Sequence, residues 1–229
     1  MGQTKIKRKQ FSDDGWIPAN ETWTYASAQT FTISGDYTAI FKKGLKLKWT
    51  NASGSNPRYG TVKIDSTYAA PNTTVTIITN TDYVIANDAI SLNYYSWVEM
   101  PDGWPQFFNF SPTFTNFTVG NATVVFRFRP IQSYMFVEFS IILGNTSAMG
   151  TGMYSNLPAD GVHYSMDTYY FEDAATAGFL GVISVVTDKV YFYKYTVSGA
   201  NIAQGNMTAT VPFTWTTNDF LRGKFTYRW

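Results

Sequence analysis

Apolar and polar residues alternate with period two along most of the chain. Leu45, Leu47 and Trp49 alternate with Lys46, Lys48 and Thr50; Val62 and Ile64 with Lys63 and Asp65; Val75 and Ile77 with Thr74 and Thr76. Successive side chains of a strand point to opposite faces, so each run predicts a strand with one apolar face and one polar face. Turn-forming residues separate the runs: Ser34-Gly35-Asp36, Lys43-Gly44, Asn51 to Pro57 and Ala70-Pro71-Asn72. Between Val84 and Tyr94 the spacing of Ala86, Ala89 and Ile90 predicts a short helical turn.

Residues 97–110 break the alternation. Pro101 and Pro105 remove backbone donors, Gly103 adds a turn, and Pro112 follows. This stretch reads as a linker. Its Trp97, Trp104, Phe107, Phe108 and Phe110 predict that it packs against a domain.

The second half is more apolar. Met135, Val137, Phe139, Ile141 and Leu143 form one unbroken apolar face, and the opposite face, Tyr134 to Ile142, is only half polar. A strand apolar on both sides belongs in a core or at an interface. Gly178 to Val186 and Lys189 to Val197 repeat the theme, with a hairpin tip at Asp188-Lys189 and with Tyr191, Tyr193 and Tyr195 on one face. Met207 to Trp215 alternates as an edge strand, demoted by Pro212. Phe225, Tyr227 and Trp229 alternate with Lys224, Thr226 and Arg228. The expected fold is all-β. A basic arm (1–11) precedes a small β-barrel or sandwich (12–96), the linker (97–110) and a jelly-roll β-sandwich (111–229). No fixed-period repeat points to a solenoid or propeller.

Composition alters the picture in one respect. Charged residues are only 14% of the 229, against 18% aromatic, and the net charge is +1. So low a charge predicts that Thr, Ser and Asn coat part of the surface and that other subunits cover part of the rest. A near-neutral chain has no global field to draw nucleic acid. No segment reaches the roughly 18 consecutive apolar residues of a membrane helix, and Met1 to Lys9 lacks the apolar stretch of a secretion leader. The sequons at Asn20, Asn51, Asn72, Asn116 and Asn121 then read as by-products of a Thr- and Asn-rich sequence.

Candidate chemistry is sparse. There is no cysteine, and His163, the single histidine, sits in the loop-like run Asp160 to Ser165. Glu138, Glu172 and Asp173 are the carboxylates from which a glycosidase pair would have to come. Glu138 reads first as an outward strand residue paired with Lys or Arg, and Glu172-Asp173 as a solvated loop with no Asp-x-Asp calcium spacing. No catalytic, cofactor or metal residue is therefore assigned. Lys5, Lys7, Arg8 and Lys9 form the one charge cluster, either a solvated tail or an arm that docks on an acidic neighbour. Trp104, Tyr154, Tyr169 and Tyr170 lie in turn-rich or inter-strand regions and are the candidates for stacking on sugars.

Two stretches resemble phage virion proteins. Asp14 to Ser27, with Phe31 to Asp36, Lys43 to Thr50, Tyr68 to Thr76 and Asp82 to Asn87, resembles a small β-domain of tailed-phage virions; Asn51 to Tyr59 reads as a polar insertion into it. Phe110 to Val124 resembles the opening of jelly-roll domains at the ends of phage tail and head fibres, which form trimers similar to C1q and tumour-necrosis-factor folds. The resemblance implies a non-enzymatic virion appendage. It would be a homotrimer assembled in the host cytoplasm, docked on other virion proteins through its N-terminal part and presenting the jelly roll to a host-surface glycan. It would have no cofactor, no nucleic-acid partner and no membrane insertion. A capsid decoration or head-fibre role and a glycan-degrading tail enzyme are the alternatives.

Overall fold

The computed structural model describes residues 14–79, 81–162, 165–174, 176–198 and 201–229. Its contacts divide the chain into two compact units, one running to Thr79 and resuming over Tyr83–Pro105, the other holding Gln106–Trp229. Each unit is one antiparallel sheet that buries an apolar face on itself, an all-β build of the sandwich and jelly-roll class.

The first unit contains β1 (Ile17–Pro18), β2 (Thr24–Ser27), β3 (Thr30–Ser34), β4 (Lys46–Asn51), β5 (Gly54–Val62), β6 (Thr67–Ala69), β7 (Asn72–Thr79) and β8 (Ile90–Ser96). They run in the order β1-β8-β4-β5-β7-β3-β2, with β6 on β7. The alternation places the core as expected: Leu45, Leu47, Trp49, Val62, Val75 and Ile77 are all buried. Trp23 stacks on Phe31 with ring centres 4.4 Å apart, and Phe41 meets both edge-on at 6.0 Å.

Three expectations for this unit change. Ile64 is 53% exposed, because β5 ends at Val62 and the alternation outruns the strand. The helical turn expected after Val84 is absent: the only helical element among the described residues is a 3-10 turn at Thr81–Tyr83, and Ile90–Ser96 is a strand paired to β4. The polar run from Asn51 to Tyr59 is the β4–β5 hairpin itself, with Asn51 opposite Gly54 and Trp49 opposite Arg58.

The stretch 97–110 is shared between the units. Asp102 donates its backbone N–H to the Asp14 carbonyl at 2.8 Å, and Trp16 Nε1 donates to the Asp102 carbonyl at 2.7 Å, which fixes residues up to Pro105 to the first unit. β9 (Phe108–Phe110) is an edge strand of the second.

The second unit continues with β10 (Phe114–Thr118), β11 (Thr123–Ile131), β12 (Tyr134–Ile142), β13 (Ala148–Asn156), β14 (Ser165–Asp173), β15 (Ala177–Val186), β16 (Lys189–Ser198), β17 (Asn201–Asn206) and β18 (Phe220–Arg228). The order is β10-β13-β16-β15-β14-β18-β12-β11-β9, with β17 on β16. β12 and β16 are four steps apart in this order, roughly 19 Å along a flat sheet. Yet Phe139 of β12 and Phe192 of β16 meet edge-on at 5.3 Å, so the sheet curls until its inner faces touch. Phe114 near one edge likewise reaches Phe126 near the other, at 5.9 Å.

β12 is an interior strand of the curl, hydrogen-bonded along its length to β11 and β18, with Met135, Val137, Phe139 and Ile141 buried. The closing alternation also holds, since Phe225, Tyr227 and Trp229 are buried. The strand expected over Met207–Trp215 does not form. Those residues make an irregular segment with one isolated bridge, Thr208 to Val211, and Phe213 and Trp215 pack on Phe171.

Tyr169 and Tyr227 are the buried tyrosines of this core, and burial pushes both hydroxyls far above the ordinary tyrosine value of 10.0. Tyr227 donates to the Ala159 carbonyl at 2.9 Å, whereas Tyr169 donates only to the Met207 sulfur, at 3.2 Å. A group with a raised folded value stabilises the fold fully below the unfolded value and loses that contribution as pH rises, because only the unfolded chain ionises. Stability to denaturant is therefore expected to fall steeply above about pH 10, and the double variant Tyr169→Phe/Tyr227→Phe to flatten that fall. At pH 7, Tyr227→Phe should cost about 1 kcal/mol and Tyr169→Phe less, since a thioether is the weaker acceptor. Urea titrations from pH 7 to 11.5 check both.

Candidate functional site

Two surface regions concentrate polar chemistry, one in each unit. In the first, the outward face of β4 is not the solvated ammonium face that alternation predicts. Lys46 is only 7% exposed, and its ammonium lies 5.7 Å from the Trp104 ring centre. Lys48 lies 4.6 Å from the Trp16 ring and 4.4 Å from the Tyr94 ring. Trp16, Tyr59 and Trp104 cluster over this face with ring centres about 6 Å apart. Desolvation lowers both lysines from their ordinary value, opposed by Glu99 at Lys46 and by Asp14 and Asp102 at Lys48. A cleft of about 370 Å³ beside Lys48 is bounded by Asp14, Tyr59, Tyr94 and Asp102.

In the second unit the cleft is on the outer face of β11, β12 and β18. Antiparallel register builds it as a small lattice: Arg127, Glu138 and Lys224 lie in one row, and Val125, Ser140 and Arg222 in the next. These six residues line a cleft of about 410 Å³, with Phe139 and Gly223 beneath. Arg127 pairs with Glu138 at 2.6 Å, and the Arg222 guanidinium stacks 4.0 Å above the Phe220 ring. Tyr170 of β14 lies opposite Arg222 in register, 5.8 Å from the Phe220 ring, and its hydroxyl donates to Glu172 at 2.6 Å. That hydrogen bond raises the Tyr170 hydroxyl above its ordinary value.

The aromatic candidates separate. Tyr170 is 40% exposed. Tyr154 is half-buried against Tyr191, ring to ring at 5.1 Å, with the Lys189 ammonium 5.2 Å above it. Trp104 and Tyr169 are 6% and 2% exposed, too little to offer a ring face to a sugar, which corrects the surface role expected of them. Trp104 is covered within the first unit. Tyr169 lies between two glycines, Gly181 and Gly223, its register partners on β15 and β18. A Cβ at Gly181 would stand 2.3 Å from the Tyr169 ring, and one at Gly223 2.7 Å from the Tyr169 Cβ. The glycines make the space that the ring fills.

The charged candidates also disperse. Lys5, Lys7, Arg8 and Lys9, and His163, lie outside the described residues. Glu138 has the basic partner expected of an outward strand carboxylate. Asp173 accepts from the Thr176 hydroxyl at 2.5 Å. Among the described residues, no group of three or more His, Asp or Glu could hold a metal ion. The cationic cleft was missed in the sequence. Alternation does put Arg127 and Arg129 on one face and Lys224 on another strand's outer face, but nothing local joins strands about 90 residues apart.

No family model, no curated protein and no solved structure matches the chain.

The buried lysine yields a test. A lysine with a lowered folded value carries a penalty at neutral pH, relieved as pH rises towards its unfolded value near 10.5. Lys46→Met removes the charge but keeps an unbranched apolar stem at this buried position. It is expected to hold or raise the thermal midpoint at pH 7 and to narrow its advantage over wild type by pH 10. A midpoint lowered at every pH would show that the ammonium itself is stabilising.

Proposed function

We propose that this chain is a non-enzymatic structural component of a tailed-phage virion, an appendage that docks through its N-terminal part and presents its second unit to the host surface as a homotrimer. The phage assignment rests on the sequence resemblance at Asp14 to Asn87 and Phe110 to Val124. The structural observation that carries the binding role is the outer face of the second sheet. Tyr170 and Leu180 face each other across β14 and β15, and Tyr195 of β16 is next in the same row; they are 40%, 61% and 42% exposed. Met166 and Ile202 add exposures of 62% and 71%. Large apolar side chains grouped on one sheet face mark a surface that meets something other than water.

Immunogold electron microscopy of purified particles tests the virion role, with label expected at the tail tip or baseplate. Label spread over the head would favour the decoration role instead, and unlabelled particles would remove the virion reading. Light scattering at micromolar concentration should give the mass of three chains. A wild-type monomer would sink the trimer. Glu138→Gln should abolish no glycan cleavage, and loss of a measured cleavage on that change would make the protein an enzyme.

A further inference from the structure

We infer that the cleft between Arg127, Arg222 and Lys224 binds an anionic glycan, a sugar chain carrying regularly spaced carboxylate or phosphodiester groups. This rests on the surface-binding reading above and gives it a site and a ligand class.

Charge is the first argument. The chain holds few charged residues for its size, yet this one cleft gathers three cations and a single acid. Glu138 is matched to Arg127 at 2.6 Å, which leaves Arg222 and Lys224 in surplus. Glu172, on the neighbouring strand, accepts from the Tyr170 hydroxyl and keeps its charge, and with it included the cations still outnumber the acids three to two. The cleft therefore presents a net positive field on a protein whose total charge is only +1.

Rigidity is the second. All three cations are mounted on strands paired on both sides, Arg127 between β12 and β9, and Arg222 and Lys224 on β18 between β12 and β14. Arg222 and Lys224 are two residues apart on β18, roughly 7 Å along the strand, so their heads are spaced like anions on a polymer rather than converging on one small ion. Arg222 lies over the Phe220 ring at 4.0 Å, which fixes its plane and keeps its fork of donors for a carboxylate or phosphate.

An aromatic shelf lies beside the charge. Tyr170 is exposed, lies opposite Arg222 and packs on Phe220. An aromatic face takes the C–H side of a sugar ring, while Arg222, Lys224 and the Ser140 hydroxyl take its polar and anionic groups. Cations alone would suit any polyanion. Cations beside a tyrosine shelf, in a cleft, suit a charged sugar.

The test uses the full chain and fluorescence anisotropy with labelled oligogalacturonate, its methyl ester of equal length, a ribitol-phosphate oligomer, and an oligothymidylate of equal charge. One or both anionic glycans should bind at about 50 mM salt, weaken as salt rises, and leave the methyl ester unbound. Arg222→Gln/Lys224→Gln should weaken that binding by about tenfold or more, whereas Lys42→Gln/Lys63→Gln, which removes the same charge from the first unit, should not. Tyr170→Ala should weaken it with the charges intact. Thermal midpoints show that each variant is folded. Binding of neither anionic glycan, unchanged binding by the Arg222 and Lys224 variant, or equal affinity for oligothymidylate would overturn the inference. Glycan binding at the cleft with no label on particles would remove the virion reading alone; labelled particles with no glycan binding would remove the cleft alone.

Discussion

The second unit depends on the curl of its sheet. A flat antiparallel sheet of this many strands would leave one whole face of Phe, Met, Val and Tyr in water. Curling brings β12 against β16, so that Phe139 reaches Phe192 and also packs on Phe126, Tyr169 and Phe225. Each such ring removes a large apolar area from water, and the sum outweighs the entropy lost in ordering the strands. The curl in turn needs room at its centre, and the glycines on either side of Tyr169 supply it. Once inner residues are fixed this way, the period of two assigns every intervening residue to the outside, where binding surfaces can form.

The outer face is therefore a by-product of the core's register that has become usable. Arg127, Glu138 and Lys224 stand in a row because β11, β12 and β18 pair without a bulge over nine residues each. A one-residue slip of β18 would turn Arg222 and Lys224 inward and expose Leu221 and Phe225, at a cost no surface contact could offset. The positions of the cations are thus held by the hydrophobic core beneath them. The apolar row of Tyr170, Leu180 and Tyr195 is positioned in the same way.

The first unit shows a different use of alternation. β4 has its apolar side in the core, but its lysine side is roofed by Trp16, Tyr59 and Trp104. Trp16 comes from the start of the described chain and Trp104 from the segment after the last strand of that sheet. The lysine ammoniums lie against these ring faces, with Glu99 acting on Lys46 and with Asp14 and Asp102 acting on Lys48. The segment that breaks the strand pattern thereby closes the domain, through two tryptophans and the hydrogen bond from Trp16 to the Asp102 carbonyl.

The sequence by itself determined what is local. Period-two runs such as Leu45-Leu47-Trp49, Met135 to Ile141 and Phe225 to Trp229 placed the strands and their buried faces, because a strand's side-chain geometry repeats within a few residues. Glu138 could be read as an outward, paired carboxylate for the same reason. Only the tertiary structure decided which strands are neighbours, and with them the burial of Trp104, Tyr169 and Lys46 and the gathering of Arg127, Arg222 and Lys224. Those outcomes depend on contacts between residues from 12 positions apart, as Tyr169 and Gly181 are, to 97, as Arg127 and Lys224 are. A period of two says which way a side chain points, but carries no information about what stands opposite.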